Sequence, residues 1–393
     1  MSTQTISSKR AGMPASRAKV PTAPTTRLAF IDNLRVFLVI LVTVHHLAVT
    51  YGAEGSWYYY ESGTDEISSI VLTLFVAVNQ AFFMGLFFLI AGYFTVPSLD
   101  RKGARLFLKD RLLRLGVPLI FYAFVINPLV SYTLAVNVWN YTGSLTQYLS
   151  EGGAFGVGPL WFAQALLLFT FIYMAGRHWL QPATEPTAQR QKLPANGAIA
   201  LYALAAGVLT FIVRLAFPVG AFSPVLGMQP GHAIQYVSMF AFGILAYRRD
   251  WLSQLPEDKV WQRTTIALIL LAPVILMLGV SSGGIGAFMG GFNWQALVYA
   301  LLEQFLAVGL IISLLVRFRK HCNQQNDLLR ALAANAYTLY IIHPPVLVLT
   351  TLWLRDLHLY PLIKFALTSL LCVPVGFLIA HYLRKLPLIK KIL

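Results

Sequence analysis

The chain has 393 residues, of which 57% are apolar and only 11% charged, and a formal net charge of +15. A soluble domain carries about 25% charged residues, so this composition, with a mean hydropathy of +0.66, excludes a water-facing surface and calls for helices in lipid. The basic residues are spread in short clusters between apolar runs, which argues against nucleic-acid binding. Cys322 and Cys372 fall in a loop and in a span, where neither suits a disulfide or a metal.

Residues 1–26 are rich in Ser, Thr, Ala, Pro and Lys and read as a disordered basic cytoplasmic tail. The apolar stretch that follows is too long for a signal-peptide core and has no small-residue cleavage site, so it reads as a first span. Apolar runs fall at about 28–51, 67–94, 114–136, 159–178, 196–217, 232–247, 264–281, 295–316, 331–352 and 361–383; a span needs about 20 residues.

The connections between the runs alternate in charge. One side holds the tail, then Arg101, Lys102, Arg105, Lys109, Arg111 and Arg114, then Arg190 and Lys192, Arg248 and Arg249, Arg317, Arg319 and Lys320, and the closing Arg384, Lys385, Lys390 and Lys391. On the other side, the connections near 52–66, 137–157, 218–231 and 281–294 carry no Lys or Arg, and Arg355 alone interrupts. By the positive-inside rule this predicts an all-α polytopic membrane bundle of about ten helices over 27–385, both termini cytoplasmic, with a short basic tail at 386–393. Trp57, Tyr58, Tyr59 and Tyr60 in the first outer connection suit a sugar ring or an interfacial aromatic belt. The Gly-rich stretch 283–291 lacks a preceding strand and a Gly-Lys-Ser/Thr ending, so it reads as a flexible loop.

An ionisable side chain inside a span is costly and by default marks function. The first span carries Asp32, Arg35, His45 and His46. At 100° per residue, His46 stands about 20° from Arg35 and Asp32 about 60° from it, so these three form one polar stripe, while His45 points about 80° away. His46 lies roughly 27 Å beyond Leu28, in the outer half of a hydrocarbon core about 30 Å thick. The functional reading is a proton-handling site, because imidazole suits general-base work near neutral pH. The structural alternative is a helix-orienting ion pair with two packed histidines.

Farther on, Asn79 and Gln80 read as interhelical glue. Glu303 is a carboxylate in the eighth span that an arginine such as Arg214 could neutralise. In the ninth span, Tyr337, Tyr340 and His343 are spaced by three as a second polar stripe. His343 directly precedes Pro344 and Pro345, which free backbone carbonyls upstream, and such breaks border protein or a cavity. His45, Glu303, Tyr340 and His343 are thus possible site-lining residues.

Arg35 and His46, with ten residues between them in a first span, resemble the signature of the membrane acyltransferase 3 family. The string RLAFIDNLRVFLVILVTVHHLAVTYG resembles the branch that includes the succinyltransferases of periplasmic glucans. Further blocks follow in order: FFMGLFFLIAGYF, ending at Phe94, RLFLKDRLLRLGVP, ending at Pro118, GPLWFAQALLLF with Trp161, and AYTLYIIHPPVLV with His343. Ala91 stands where the family usually has Ser. The likeness covers about 27–385.

This resemblance implies an O-acyltransferase of the bacterial inner membrane, which moves an acetyl or succinyl group from cytoplasmic acyl-CoA to a hydroxyl of an exported or periplasmic carbohydrate. Acyl-CoA is a co-substrate, with no bound cofactor or metal, and the expected partners are the donor, the hydroxyl acceptor and the bilayer. His46 is the expected base, and Arg35, held by Asp32, lines the path and counters developing charge. Arg105, Arg111 and Arg114 meet the CoA phosphates, since Arg forks match phosphate, although the same residues also serve orientation. Trp161 flanks the acyl chain. The rival reading is a proton-coupled small-solute transporter, which the same intramembrane charges would suit.

Overall fold

A computed structural model describes residues 28–61, 63–179, 191–223, 228–255 and 259–392; the expected tail at 1–26 and Arg190 lie outside the described residues. The chain is all-α among those residues, apart from one isolated bridge between Ser223 and Met228. Helices satisfy every backbone group within one segment, which lipid demands.

In chain order the helices are α1 (Ala29–Thr50), α2 (Glu66–Arg111), α3 (Val117–Phe121), α4 (Asn127–Asn137), α5 (Leu145–Ser150), α6 (Trp161–Trp179) and α7 (Asn196–Ala216). They continue as α8 (Ala233–Arg248), α9 (Val260–Gly283), α10 (Trp294–His321), α11 (Asp327–Trp353), α12 (Pro361–Leu383) and α13 (Pro387–Ile392).

All ten expected apolar runs fall in helix, and eight helical segments are long and apolar enough to cross a membrane. One boundary differs from the sequence reading. The second and third runs belong to one 72-residue helical stretch, Glu66–Asn137, interrupted at Gly103, whose φ of 74° and ψ of 163° leave the helix. Glycine takes that backbone without a Cβ penalty, and the ion pair of Lys102 with Asp110 closes over the turn. The sixth run, already short in the sequence, is α8, 16 residues long, against the roughly 20 of a full span.

Within the stretch 66–137, π turns at Leu112–Gly116 and Tyr122–Ile126 flank α3. Pro118 offers no N–H to the carbonyl of Arg114 four residues back, and Tyr337 Oη donates to that carbonyl instead at 2.5 Å.

α1 is the central helix. It packs against α2, α10, α11 and α12, and 67% of its apolar window is buried, against 6% for α9 on the rim. Leu270, Met277 and Leu278 of α9 face outward, as a lipid-facing helix requires. At the basic end, Asn33 ties α1 to the connection between α10 and α11, donating to the carbonyls of Cys322 at 2.7 Å and Gln324 at 3.0 Å.

The most extensive packing is between α2 and α8. A Cβ added to Gly92 would collide with the Phe240 carbonyl, and one added to Gly243 with that of Leu89. The two backbones therefore touch, as small residues permit in membrane bundles. Gly92→Val is expected to lower the thermal unfolding midpoint of the detergent-purified protein by several degrees, since overpacking costs about 1–3 kcal/mol. Gly286→Ala, where an added Cβ meets nothing within 4 Å, is expected to leave the midpoint unchanged.

Candidate active site

α1 carries polar groups at both of its ends. At the basic end Asp32 is buried and pairs with Arg35 one turn on, as the stripe predicts. The Arg35 side chain remains 43% exposed, and its guanidinium lies 5.9 Å from the centre of the Phe94 ring. Arg111 donates to Thr95 Oγ1 at 3.2 Å. Phe94 and Thr95 are neighbours on α2, so Arg35 and Arg111 converge on one turn of that helix. Arg114 and Arg105 are both exposed. Arg105 lines a shallow outward hollow with Leu108, Lys109, Leu112, Leu113 and Val117, and no contact joins it to the Arg35–Arg111 pair.

At the other end of α1 the two histidines diverge. His45 packs on Phe83 of α2, with ring centres 4.9 Å apart. His46 turns toward α11 and the connection between α1 and α2. Its ring is stacked on Trp57 at 4.0 Å and 16° and lies nearly parallel to His343 at 5.4 Å and 13°.

The three-residue spacing on α11 continues the series, because residues three apart share a helix face. His343 lies 6.0 Å from Tyr340, and Tyr340 lies 6.1 Å from Tyr337, with interplanar angles of 26° and 24°. Five rings thus run without a break from the Arg114 carbonyl, held by Tyr337, to Trp57. Tyr340 is fixed sideways by donating to the Pro159 carbonyl at 2.8 Å. Phe162 packs on Tyr340, edge to face at 6.2 Å.

The connection that carries Trp57 is pinned on both flanks. Tyr58 donates to Asn127 Oδ1 and lies 2.9 Å from Tyr122 Oη; burial pushes its phenol up to about 12, so it stays a donor at neutral pH. Asn127 in turn donates to the Ala154 carbonyl at 2.7 Å. On the other flank Glu61 pairs at 2.6 Å with Lys364, which is 2% exposed and also donates to the Arg355 carbonyl at 3.0 Å. The sequence reading missed Lys364. Its signal was a lysine just inside the outer end of an apolar run, against the charge pattern, which in a membrane requires a partner.

Glu303 belongs to a second polar cluster. Arg214 Nη2 donates to Glu303 Oε2 at 2.5 Å, which bears out the pairing considered from sequence, and His232 Nδ1 lies 3.0 Å from Glu303 Oε1. Arg214 also donates to the Gly231 carbonyl at 3.1 Å and sits over the Tyr299 ring. Tyr236 stacks between His232 and Trp161, at 5.9 and 5.5 Å, and accepts from Gln80 at 3.1 Å. So the structure joins His46, His343 and Tyr340 in one system, and Glu303 and Trp161 in another. The two meet at Phe162, whose ring packs against both Tyr340 and Trp161.

The family model for the acyltransferase domain matches residues 28–381. The chain belongs to the acyltransferase 3 family. It is a multi-pass membrane acyltransferase, and its chemistry needs an acyl donor and an acceptor. It is similar to glucans biosynthesis protein C of Salmonella heidelberg, 25% identical over 234 residues, and of Salmonella paratyphi A, 26% identical over 237. The protein of the same name from Salmonella typhi is 24% identical over 234 residues. Each alignment covers 57% of this chain and 59% of the relative, so the chain spans about three-fifths of the length of the curated relatives it matches. No solved structure matches the acyltransferase significantly.

Removing one partner of a buried ion pair costs about 3–5 kcal/mol, while replacing both by apolar groups is often neutral. Arg214→Met is therefore expected to destabilise the purified protein strongly in chemical-denaturant titrations. Arg214→Met with Glu303→Leu is expected to recover most of the loss.

Proposed function

We propose that this acyltransferase lies in the inner membrane with ten spans and both termini in the cytoplasm. It takes an acetyl or succinyl group from cytoplasmic acyl-CoA and places it on a hydroxyl of an exported or periplasmic carbohydrate. The observation that carries this reading is the aromatic series on α11 and α1, which links the arginine-bearing end of the bundle to His46 near the opposite end. The likeness to glucans biosynthesis protein C supports a glucan acceptor.

On this reading, the CoA phosphates lie against Arg35 and Arg111, with Arg114 and Arg105 at the rim, and the thioester arm follows the rings toward His46. Arg35 stands eleven residues before His46, about 16 Å along the helix. Its charge therefore acts on the donor's phosphates and not on the reacting carbonyl.

His46 takes the proton of the acceptor hydroxyl as the hydroxyl oxygen attacks the thioester carbonyl. The C–S bond breaks, the proton passes to the departing thiolate, and the products are an ester and free CoA thiol. A positioned base contributes about 10²- to 10⁴-fold. Trp57, stacked on the imidazole, holds the ring in one orientation and presents an aromatic face at the acceptor side.

Envelope glycans from cells lacking the protein, rescued with wild type or with His46→Ala at matched membrane levels, test the reading by mass spectrometry. The acyl mass increment is expected with wild type and to fall at least about 100-fold with His46→Ala; full acylation by His46→Ala would sink the assignment. Arg111→Ala with Arg114→Ala is expected to raise the KM for acyl-CoA about tenfold or more, consistent with the loss of charge-assisted bonds, with a smaller change in kcat. An unchanged KM would return these arginines to membrane orientation alone.

A further inference from the structure

Pro344 has no N–H to give the carbonyl four residues back, that of Tyr340. His343 Nδ1 lies 2.7 Å from that oxygen. A carbonyl oxygen only accepts, so Nδ1 carries the proton, and the neutral imidazole has a lone pair at Nε2. Nε2 is on the ring edge farther from the α11 backbone. It is buried and has no hydrogen-bond partner within the protein, although His343 is fully enclosed. The ring is nearly parallel to those of His46 and Trp57, at 5.4 and 5.9 Å. The proline thus does more than break a helix: it fixes the tautomer of a second histidine beside the first.

A buried acceptor without a donor is unfavourable, and such groups in native proteins are commonly matched by a ligand or water. We propose that His343 is a substrate-binding residue whose Nε2 accepts a hydrogen bond from an O–H or N–H of the molecule lying against His46. This rests on the acyl-transfer reading above. Two donors of that chemistry come to the site: a second hydroxyl of the carbohydrate, adjacent to the one acylated, and an amide N–H of the pantetheine arm of acyl-CoA. Either would hold the reacting atoms at His46 while leaving the His46 proton transfer to His46 alone.

The test uses the full-length protein in nanodiscs, with acetyl-CoA or succinyl-CoA as donor, a linear glucose oligosaccharide as acceptor, and release of CoA thiol as readout. His343→Asn keeps an amide donor near Nδ1 for the Tyr340 carbonyl but has nothing at Nε2. His343→Gln can place its amide oxygen near the Nε2 position. His343→Asn is expected to lose about 10- to 100-fold in kcat/KM, and His343→Gln to retain distinctly more. A rise confined to the KM of the oligosaccharide assigns the bond to a sugar hydroxyl, and a rise confined to that of the acyl-CoA assigns it to the pantetheine amide.

Wild-type kinetics in His343→Asn, or equal losses in both variants, would overturn the proposal. Should the variants not fold, ¹⁵N-histidine NMR of the wild-type protein decides it. A shift of the unprotonated His343 Nε2 resonance on adding oligosaccharide or CoA is expected, and no shift at saturation with either overturns it. Wild type that releases no CoA from either donor would instead remove the acyl-transfer reading itself.

Discussion

A polar group that a helix carries into hydrocarbon must find its partner inside the protein, and in this chain prolines decide several of those partnerships. Pro118 frees the Arg114 carbonyl, and Tyr337 reaches from α11 to take it. Pro344 frees the Tyr340 carbonyl, and His343 takes it from within the same helix. These two bonds fix the ends of the α11 stripe, one against the arginine-bearing segment and one beside His46. Tyr340 between them is held by its own bond to the Pro159 carbonyl, so none of the three rings can turn freely without leaving a carbonyl unpaired. The order of the site therefore follows from backbone accounting before any substrate is considered.

The same constraint separates the two polar systems of the bundle. Arg214, Glu303 and His232 are all buried and pair with one another, so this cluster is an ion pair with a histidine cover. His46 and His343 are held by stacking and by one backbone bond, and each keeps a buried ring nitrogen with no partner in the protein. A buried ion pair adds rigidity, whereas ring nitrogens on stacked histidines are available for chemistry. What separates the two systems is charge: one holds an ion pair neutralised within the bundle, the other histidine rings held by stacking.

Pre-organisation extends to the connection between α1 and α2. Trp57 lies on His46 because Tyr58 is bound to Tyr122 and Asn127 on one side and Glu61 to Lys364 on the other. A π turn at Tyr122–Ile126 supplies one of these partners, Tyr122, and such turns are frequent at functional sites. Sites work when the groups that touch substrate are themselves held by a supporting layer. In this acyltransferase that layer comes from α2, α4, α11 and α12, elements far apart in sequence.

Much was legible in the sequence because membrane helices are written in local terms. Apolar runs, basic connections and the 100° step of a helix depend only on neighbouring residues, so the helical segments, the Asp32–Arg35 pair, the divergence of His45 from His46 and the α11 stripe could be read directly. The Arg214–Glu303 pairing could be posed but not fixed, since it joins α7 to α10. The kink at Gly103 was missed because apolar length does not report backbone direction. That Phe162 meets Tyr340, that Arg35 and Arg111 share one turn of α2, and that Trp57 covers His46 were decided by tertiary packing alone. Periodicity fixes which side chains share a face of one helix; which faces meet depends on how whole helices cross, and that is set by contacts such as Gly92 against the Phe240 carbonyl, between residues with no local relation.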